Sequence, residues 1–147
     1  MTARCDRVSN ERLISGPGVE NLYVAISEVR GVDVHHRHAS EIFEAALSGS
    51  DENAEEAVAT FFQALGQVAG DFALSIGAFD GIYLAGGVVQ RYGDLLARSR
   101  FREAFENKGR LGSRLRSTPT ALITHPQPGL IGASSMAREI HSTLTAP

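Results

Sequence analysis

Between residues 53 and 77 the apolar positions recur at intervals of three and four. Ala54, Ala57, Val58, Phe61, Phe62, Leu65, Val68, Ala69, Phe72, Ala73 and Ile76 form one continuous stripe. That spacing puts a single apolar face on an α-helix and predicts a core element there. Glu55 and Glu56 fall in its first turn, where carboxylates oppose the positive end of the helix dipole. Residues 19–29 show the same period behind a Gly16-Pro17-Gly18 break, and Pro17 suits a helix start because its missing N–H is not needed there. Shorter helices are predicted over 40–47, closed by Ser48, Gly49 and Ser50, and over 88–97 and 101–106, closed by Gly109 and Gly112. A last helix is predicted over 130–141 after a rigid turn at Pro126 and Pro128.

Three short apolar runs, 11–15, 82–85 and 120–124, read instead as strands. Strands separated by helices imply a parallel sheet with right-handed crossovers, so the fold class is α/β and helix-rich, a small parallel sheet flanked by helices. Three strands leave open edges. The isolated chain is therefore expected to be of reduced stability or to require a partner.

Composition narrows the class without fixing the function. The chain has 147 residues, 43% hydrophobic and 21% charged, with a net charge of −3, as expected of one globular domain with a real core. The polar start MTARCDRVSN has no apolar signal region and no run approaches bilayer length, so a cytoplasmic location without membrane insertion is expected. A single cysteine, Cys5, forms no intrachain disulfide and reads as a bystander. Charge is uneven: residues 41–80 hold eight acidic side chains and no Lys or Arg, whereas 91–116 hold eight basic and three acidic ones. Without aromatic interleaving or a recognition motif, the basic stretch reads as solvated helix faces, not a nucleic-acid surface, with a minor role near nucleotide phosphates left open.

The chemistry-bearing signal is GAFDGIYLAGGVVQRY, residues 77–92. A strand runs into Gly86 and Gly87 and then into a helix, so the backbone can approach a ligand and helix N–H groups can meet phosphate or a polar ring edge. Taken alone, such a pattern is more often just a tight strand-to-helix connection. His35, His36 and His38 sit on a polar connection with no Cys or carboxylate at a ligand spacing, which favours a surface loop over a metal site. His125, at a strand end beside prolines, reads as a turn residue ahead of a ligand or proton shuttle.

Four segments agree in order and spacing: ERLISGPGVENLY from residue 11, the 77–92 segment, FREAFENKGR from 101, and HPQPGLIGA from 125. Together, over about residues 8 to 140, they resemble the C-terminal half of a bacterial glucokinase of the hexokinase and actin-like ATPase superfamily. The resemblance implies that residues 1–147 are the C-terminal portion of a glucokinase-like domain, a partial actin-like ATPase (ribonuclease H-like) fold. It implies that Glu11 hydrogen-bonds a hydroxyl of the bound sugar, that Gly86 and Gly87 lie on the adenosine side, and that Ser15 and Gly16 open the turn on the nucleotide side of the same cleft. Glucose and ATP with Mg²⁺ are the implied ligands, and the missing N-terminal half or a homo-oligomer the implied partner. No catalytic residue and no metal ligand carries over.

The departures are equally specific. The Asp-x-Gly-Gly-Thr phosphate loop, the Asn-Asp pair with the catalytic base, a second glycine-rich loop and the Glu-Gly-Gly-His sugar motif of that family do not occur in this sequence, nor does a GxxxxGK[ST] loop. Val8, Ser9 and Asn10 stand where related sugar kinases carry a zinc-binding cysteine cluster. Two readings follow: part of an ATP-dependent glucokinase, incomplete and inactive alone, or a truncated noncatalytic nucleotide- or partner-binding module.

Overall fold

A computed structural model describes residues 7–33 and 35–145; Cys5 lies outside them. In chain order the described elements are α1 (Glu11–Ile14), α2 (Gly16–Val29), α3 (Ala39–Ser48), α4 (Glu52–Ile76), β1 (Ile82–Leu84), α5 (Gly87–Arg91), α6 (Gly93–Arg98), α7 (Phe101–Glu106), a 3₁₀ turn (Gly109–Leu111), α8 (Gly112–Arg116), β2 (Thr120–Leu122) and α9 (Pro128–Thr145). Helix dominates. β1 and β2 pair in parallel, with Ile82 opposite Thr120 and Leu84 opposite Leu122.

The long helix forms because its ends are chemically marked as well as its face. Asp51 caps α4 by accepting from the amides of Asn53 at 2.9 Å and Ala54 at 3.2 Å, satisfying donors that the first turn leaves unpaired. Its start carries Glu52 and Glu55, and Gly77 in the left-handed region closes it. Around α4 pack α2, α3 and α7. Phe43 of α3 meets Phe61 and Phe62 edge-on at 5.7 and 6.1 Å and stacks on Tyr92 at 4.1 Å. Each such ring pair contributes about 0.5–1.5 kcal/mol beyond its buried area.

Three expectations are corrected. Residues 11–15 are not a strand: α1 is helical, so the sheet among the described residues has two strands. The predicted helix over 88–97 is two helices, broken at Tyr92, whose backbone leaves the helical region as its ring seats on Phe43. In α4 the apolar stripe does not stay in the core to its end, since Phe72 and Ile76 are 59% and 74% exposed. The close contact with α7 runs instead through Gly66 and Gly70. A Cβ on Gly70 would stand 2.6 Å from the Phe105 carbonyl oxygen, and one on Gly66 would collide with that of Phe101.

The uneven charge finds partners within the fold. Arg91 pairs with Glu44 at 3.2 Å, and Lys108 bonds Asp71 at 2.6 Å and the Gln67 carbonyl at 2.8 Å. Arg102 donates to Glu106 and to the carbonyls of Thr118, Leu115 and Arg116, joining α7 to the segment that enters β2. Exposed pairs of this kind add little stability each. Their consistent effect is to dock the basic segment on the acidic one.

Candidate functional site

The corner between α1 and α2 holds the first group of predicted site residues. Leu13 and Ile14 pack against the core, which leaves Glu11 exposed at the start of α1. The chain then straightens at Ser15, with φ −120° and ψ 174°, and turns into α2. The Ser15 hydroxyl accepts from the Gly18 amide at 3.0 Å and donates to the Glu11 carbonyl at 2.7 Å. It therefore caps α2 and ties the corner together, while the Glu11 carboxylate stays at the surface. Gly16 is half-buried against Ala39 of α3.

The second group stands at the carboxyl end of β1, the end at which open α/β sheets bind ligands. Gly86 has φ 133° and ψ 151°, a conformation that L side chains rarely adopt. A Cβ on Gly86 or Gly87 would meet nothing within 4 Å, so open space faces both residues. The loop is held from below. The Gln90 side chain donates to the carbonyls of Ile123 at 3.0 Å and His125 at 2.9 Å, pinning α5 to the exit of β2. His125 in turn accepts at Nδ1 from the Gln127 amide at 3.0 Å, a turn hydrogen bond.

The structure thus joins Glu11 to Ser15 by a hydrogen bond and sets Gly86 beside Gly87 in a separate loop. A cleft of about 620 Å³ beside β2, lined by Leu84, Gly93, Asp94, Arg102, Thr120 and Thr124, includes none of them. Sequence reading does not find this cleft, because a space between a strand edge and two helices has no local motif. Its signal was limited to threonines at a strand end and an acidic first turn in α6.

Two polar clusters beside the corner are structural. Burial alone would raise the Asp51 carboxyl, but hydrogen bonds from the Tyr23 hydroxyl and the Ala54 and Asn53 amides, with the Arg37 charge, hold it below its ordinary value of 3.8. The Tyr23 hydroxyl is raised by burial and by Asp51. Glu20 lies 3.8 Å from His38 and 4.0 Å from His36, so a carboxylate does stand near the histidines, brought there by folding. One of its oxygens accepts from the Ala39 amide at 2.9 Å and caps α3. Among the described residues no group of three or more His, Cys, Asp or Glu side chains could hold a metal ion, and no helix is long and apolar enough to cross a membrane.

Comparison with known proteins gives a consistent result. The family model described as glucokinase matches residues 1–140. The glucokinase of Caulobacter vibrioides (strain NA1000 / CB15N) is 44% identical over 136 residues, covering 91% of this chain and 41% of its own. That of Xylella fastidiosa (strain M23) is 41% identical over 133 residues, 90% of this chain and 39% of its own. In three dimensions the chain is similar to the crystal structure of a glucokinase from an Antarctic psychrotroph, with a TM-score of 0.87 and 34% identity, over 94% of this chain and 43% of that one. The chain spans about two fifths of the length of the relatives it matches.

Proposed function

The chain belongs to the glucokinase family, and from that premise we propose that it forms part of an ATP-dependent kinase that phosphorylates glucose to glucose 6-phosphate. The observation that carries this reading is the agreement of nearly the whole fold with a solved glucokinase, at a TM-score of 0.87. In this reading the Glu11 carboxylate accepts a hydrogen bond from a sugar hydroxyl. Gly86 and Gly87 line the adenosine side of the nucleotide, and Ser15 and Gly16 lie on the nucleotide side of a sugar–nucleotide cleft that forms only in the assembled enzyme.

The local geometry suits these roles unevenly. Glu11 is exposed and its backbone is fixed by Ser15, so its carboxylate can be offered to a ligand without reorganising the corner. Gly86 and Gly87 face open space on a loop braced by Gln90, which fits the approach of a planar base. Ser15 is the weaker contact, because its hydroxyl already serves as a cap.

Phosphoryl transfer from ATP to the 6-hydroxyl forms a new phosphorus–oxygen bond, breaks the bond to ADP and releases the hydroxyl proton to a base. Mg²⁺ bound with the nucleotide neutralises phosphate charge. In this reading the chain's part is to hold sugar and nucleoside, while the base and the phosphate loops, whose motifs do not occur in its sequence, come from polypeptide outside it.

A coupled assay for glucose 6-phosphate tests the proposal. The chain alone, with ATP, Mg²⁺ and glucose, is expected to give no turnover. Mixed with the part of the Caulobacter vibrioides glucokinase outside the matched region, it is expected to turn over. A nucleotide-binding mixture without turnover would favour a noncatalytic module instead.

A further inference from the structure

Leu84 and Leu122 end β1 and β2 as neighbours in the sheet, and beyond them both stretches of chain leave as loops. The loop after β1 carries Gly86 and Gly87. A Cβ on either glycine would meet nothing within 4 Å, so the fold does not pack against them on that side. Gly86 stands at φ 133°, and a glycine held in one conformation gives up more backbone freedom than any other residue. Such a loop needs a fastening.

Two polar side chains of α5 reach outside the helix. Arg91 pairs with Glu44 at 3.2 Å, but the two side chains are 61% and 62% exposed, and an exposed ion pair contributes little. Gln90 is half-buried and meets main chain instead. Its Nε2 donates to the carbonyls of Ile123 at 3.0 Å and His125 at 2.9 Å, so both amide donors are used and the side chain has one orientation. Its main-chain N–H donates to the Gly86 carbonyl at 3.0 Å. One residue thus joins the glycine loop to the exit of β2. That exit is itself fixed, because the Ile123 amide donates to the Leu84 carbonyl at 2.8 Å and His125 Nδ1 accepts from the Gln127 amide at 3.0 Å.

We propose that Gln90 is a positioning residue for the nucleotide. It holds Gly86 and Gly87 where a nucleoside can lie against their backbone, so that ATP affinity depends on Gln90 and glucose affinity does not. This rests on the reading that the glycine pair meets nucleotide. The two ligands separate because Glu11, the sugar contact of that reading, stands on α1, in a different corner of the fold. Preorganising a loop raises affinity by removing the cost of ordering it on binding.

Two substitutions at Gln90 test this. Gln90→Met keeps the length without a donor, and Gln90→Glu keeps the shape but turns a carboxylate oxygen towards two carbonyl oxygens. Lys108→Ala, which cuts bonds to Gln67 and Asp71 of α4, serves as a control for loss of structure elsewhere. Circular dichroism checks that each variant folds. Hydrogen exchange on the chain alone should quicken at least about fivefold at the amides of residues 90–92 in both Gln90 variants, and there only. In the active mixture with the part of the Caulobacter vibrioides glucokinase outside the matched region, both should raise KM for ATP at least about fivefold, the order of one or two lost hydrogen bonds. The KM for glucose should stay within about twofold, and Lys108→Ala should move neither. Unchanged exchange in the Gln90 variants, an unchanged KM for ATP, or equal rises for ATP and glucose would each overturn the proposal. A wild-type mixture without turnover would instead overturn the kinase reading, and this assignment with it.

Discussion

Gly18 meets the Leu13 carbonyl so closely that a Cβ on it would stand 2.7 Å from the oxygen and 2.6 Å from the carbon. This contact folds α1 onto α2 and sets the backbone from which Glu11 projects. Gly18→Ala should therefore force the corner apart and cost about 1–3 kcal/mol. Urea denaturation followed by circular dichroism checks it. An unchanged midpoint would mean that the corner yields freely and does not fix Glu11.

Asp51 ties three things together: the α4 cap, the Tyr23 hydroxyl at 2.9 Å and Arg37 at 2.8 Å. Its folded pKa lies below the ordinary 3.8. A depressed carboxyl stabilises the fold fully above its unfolded value and loses that contribution as pH falls through the lower folded value. Relative to Asp51→Asn, the wild type should keep a constant advantage from neutral pH down to about pH 5 and lose it below about pH 4. Denaturation midpoints across that range would show it. An advantage that persists undiminished at about pH 2 would refute the assignment.

Tyr92 stacks on Phe43, and its buried hydroxyl has no hydrogen-bond partner among the described residues. An unsatisfied buried hydroxyl costs about 1–3 kcal/mol. Tyr92→Phe keeps the stack and should leave stability equal or raise it by about 1 kcal/mol. A clear loss in thermal midpoint would reveal a partner for the hydroxyl.

Gly86 and Gly87 separate two effects that one substitution would confound. At Gly86 the φ of 133° strains any side chain, so Gly86→Val should cost about 1–3 kcal/mol of stability whether or not nucleotide binds. Gly87 begins α5 and faces open space, so Gly87→Val should leave the fold intact. If the nucleoside sits there, the same change weakens ATP binding in the assembled enzyme. Unaltered affinity in folded Gly87→Val would remove the loop from the nucleotide site.

Much of this architecture was legible in the sequence because it rests on long or punctuated patterns. The stripe over 53–77 located α4 to within one residue at each end, and the apolar run before Gly86 located β1. The run over residues 11–15 was too short to tell strand from helix by periodicity, and the bonds that make it helical, from the Arg12 amide to the Ser9 carbonyl and from the Leu13 and Ile14 amides to that of Asn10, leave no mark in the apolar pattern. Phe72 and Ile76 obeyed the helical period yet lie in solvent, because a stripe says which face is apolar and not how far its partners extend. The four family segments pointed to the glucokinase match, but the positions of Glu11 and Gly86 in different corners came only from the fold.

The most direct measurement is the rate of glucose 6-phosphate formation against glucose concentration, in the chain mixed with the remaining polypeptide of a relative, for wild type and Glu11→Ala. Glu11 is exposed, so the variant should fold normally and lose about 1–3 kcal/mol in kcat/KM, as a sugar hydroxyl loses its partner. An unchanged dependence on glucose in an active mixture would contradict the account, because the residue proposed to tie this chain to the sugar would then play no part in holding it.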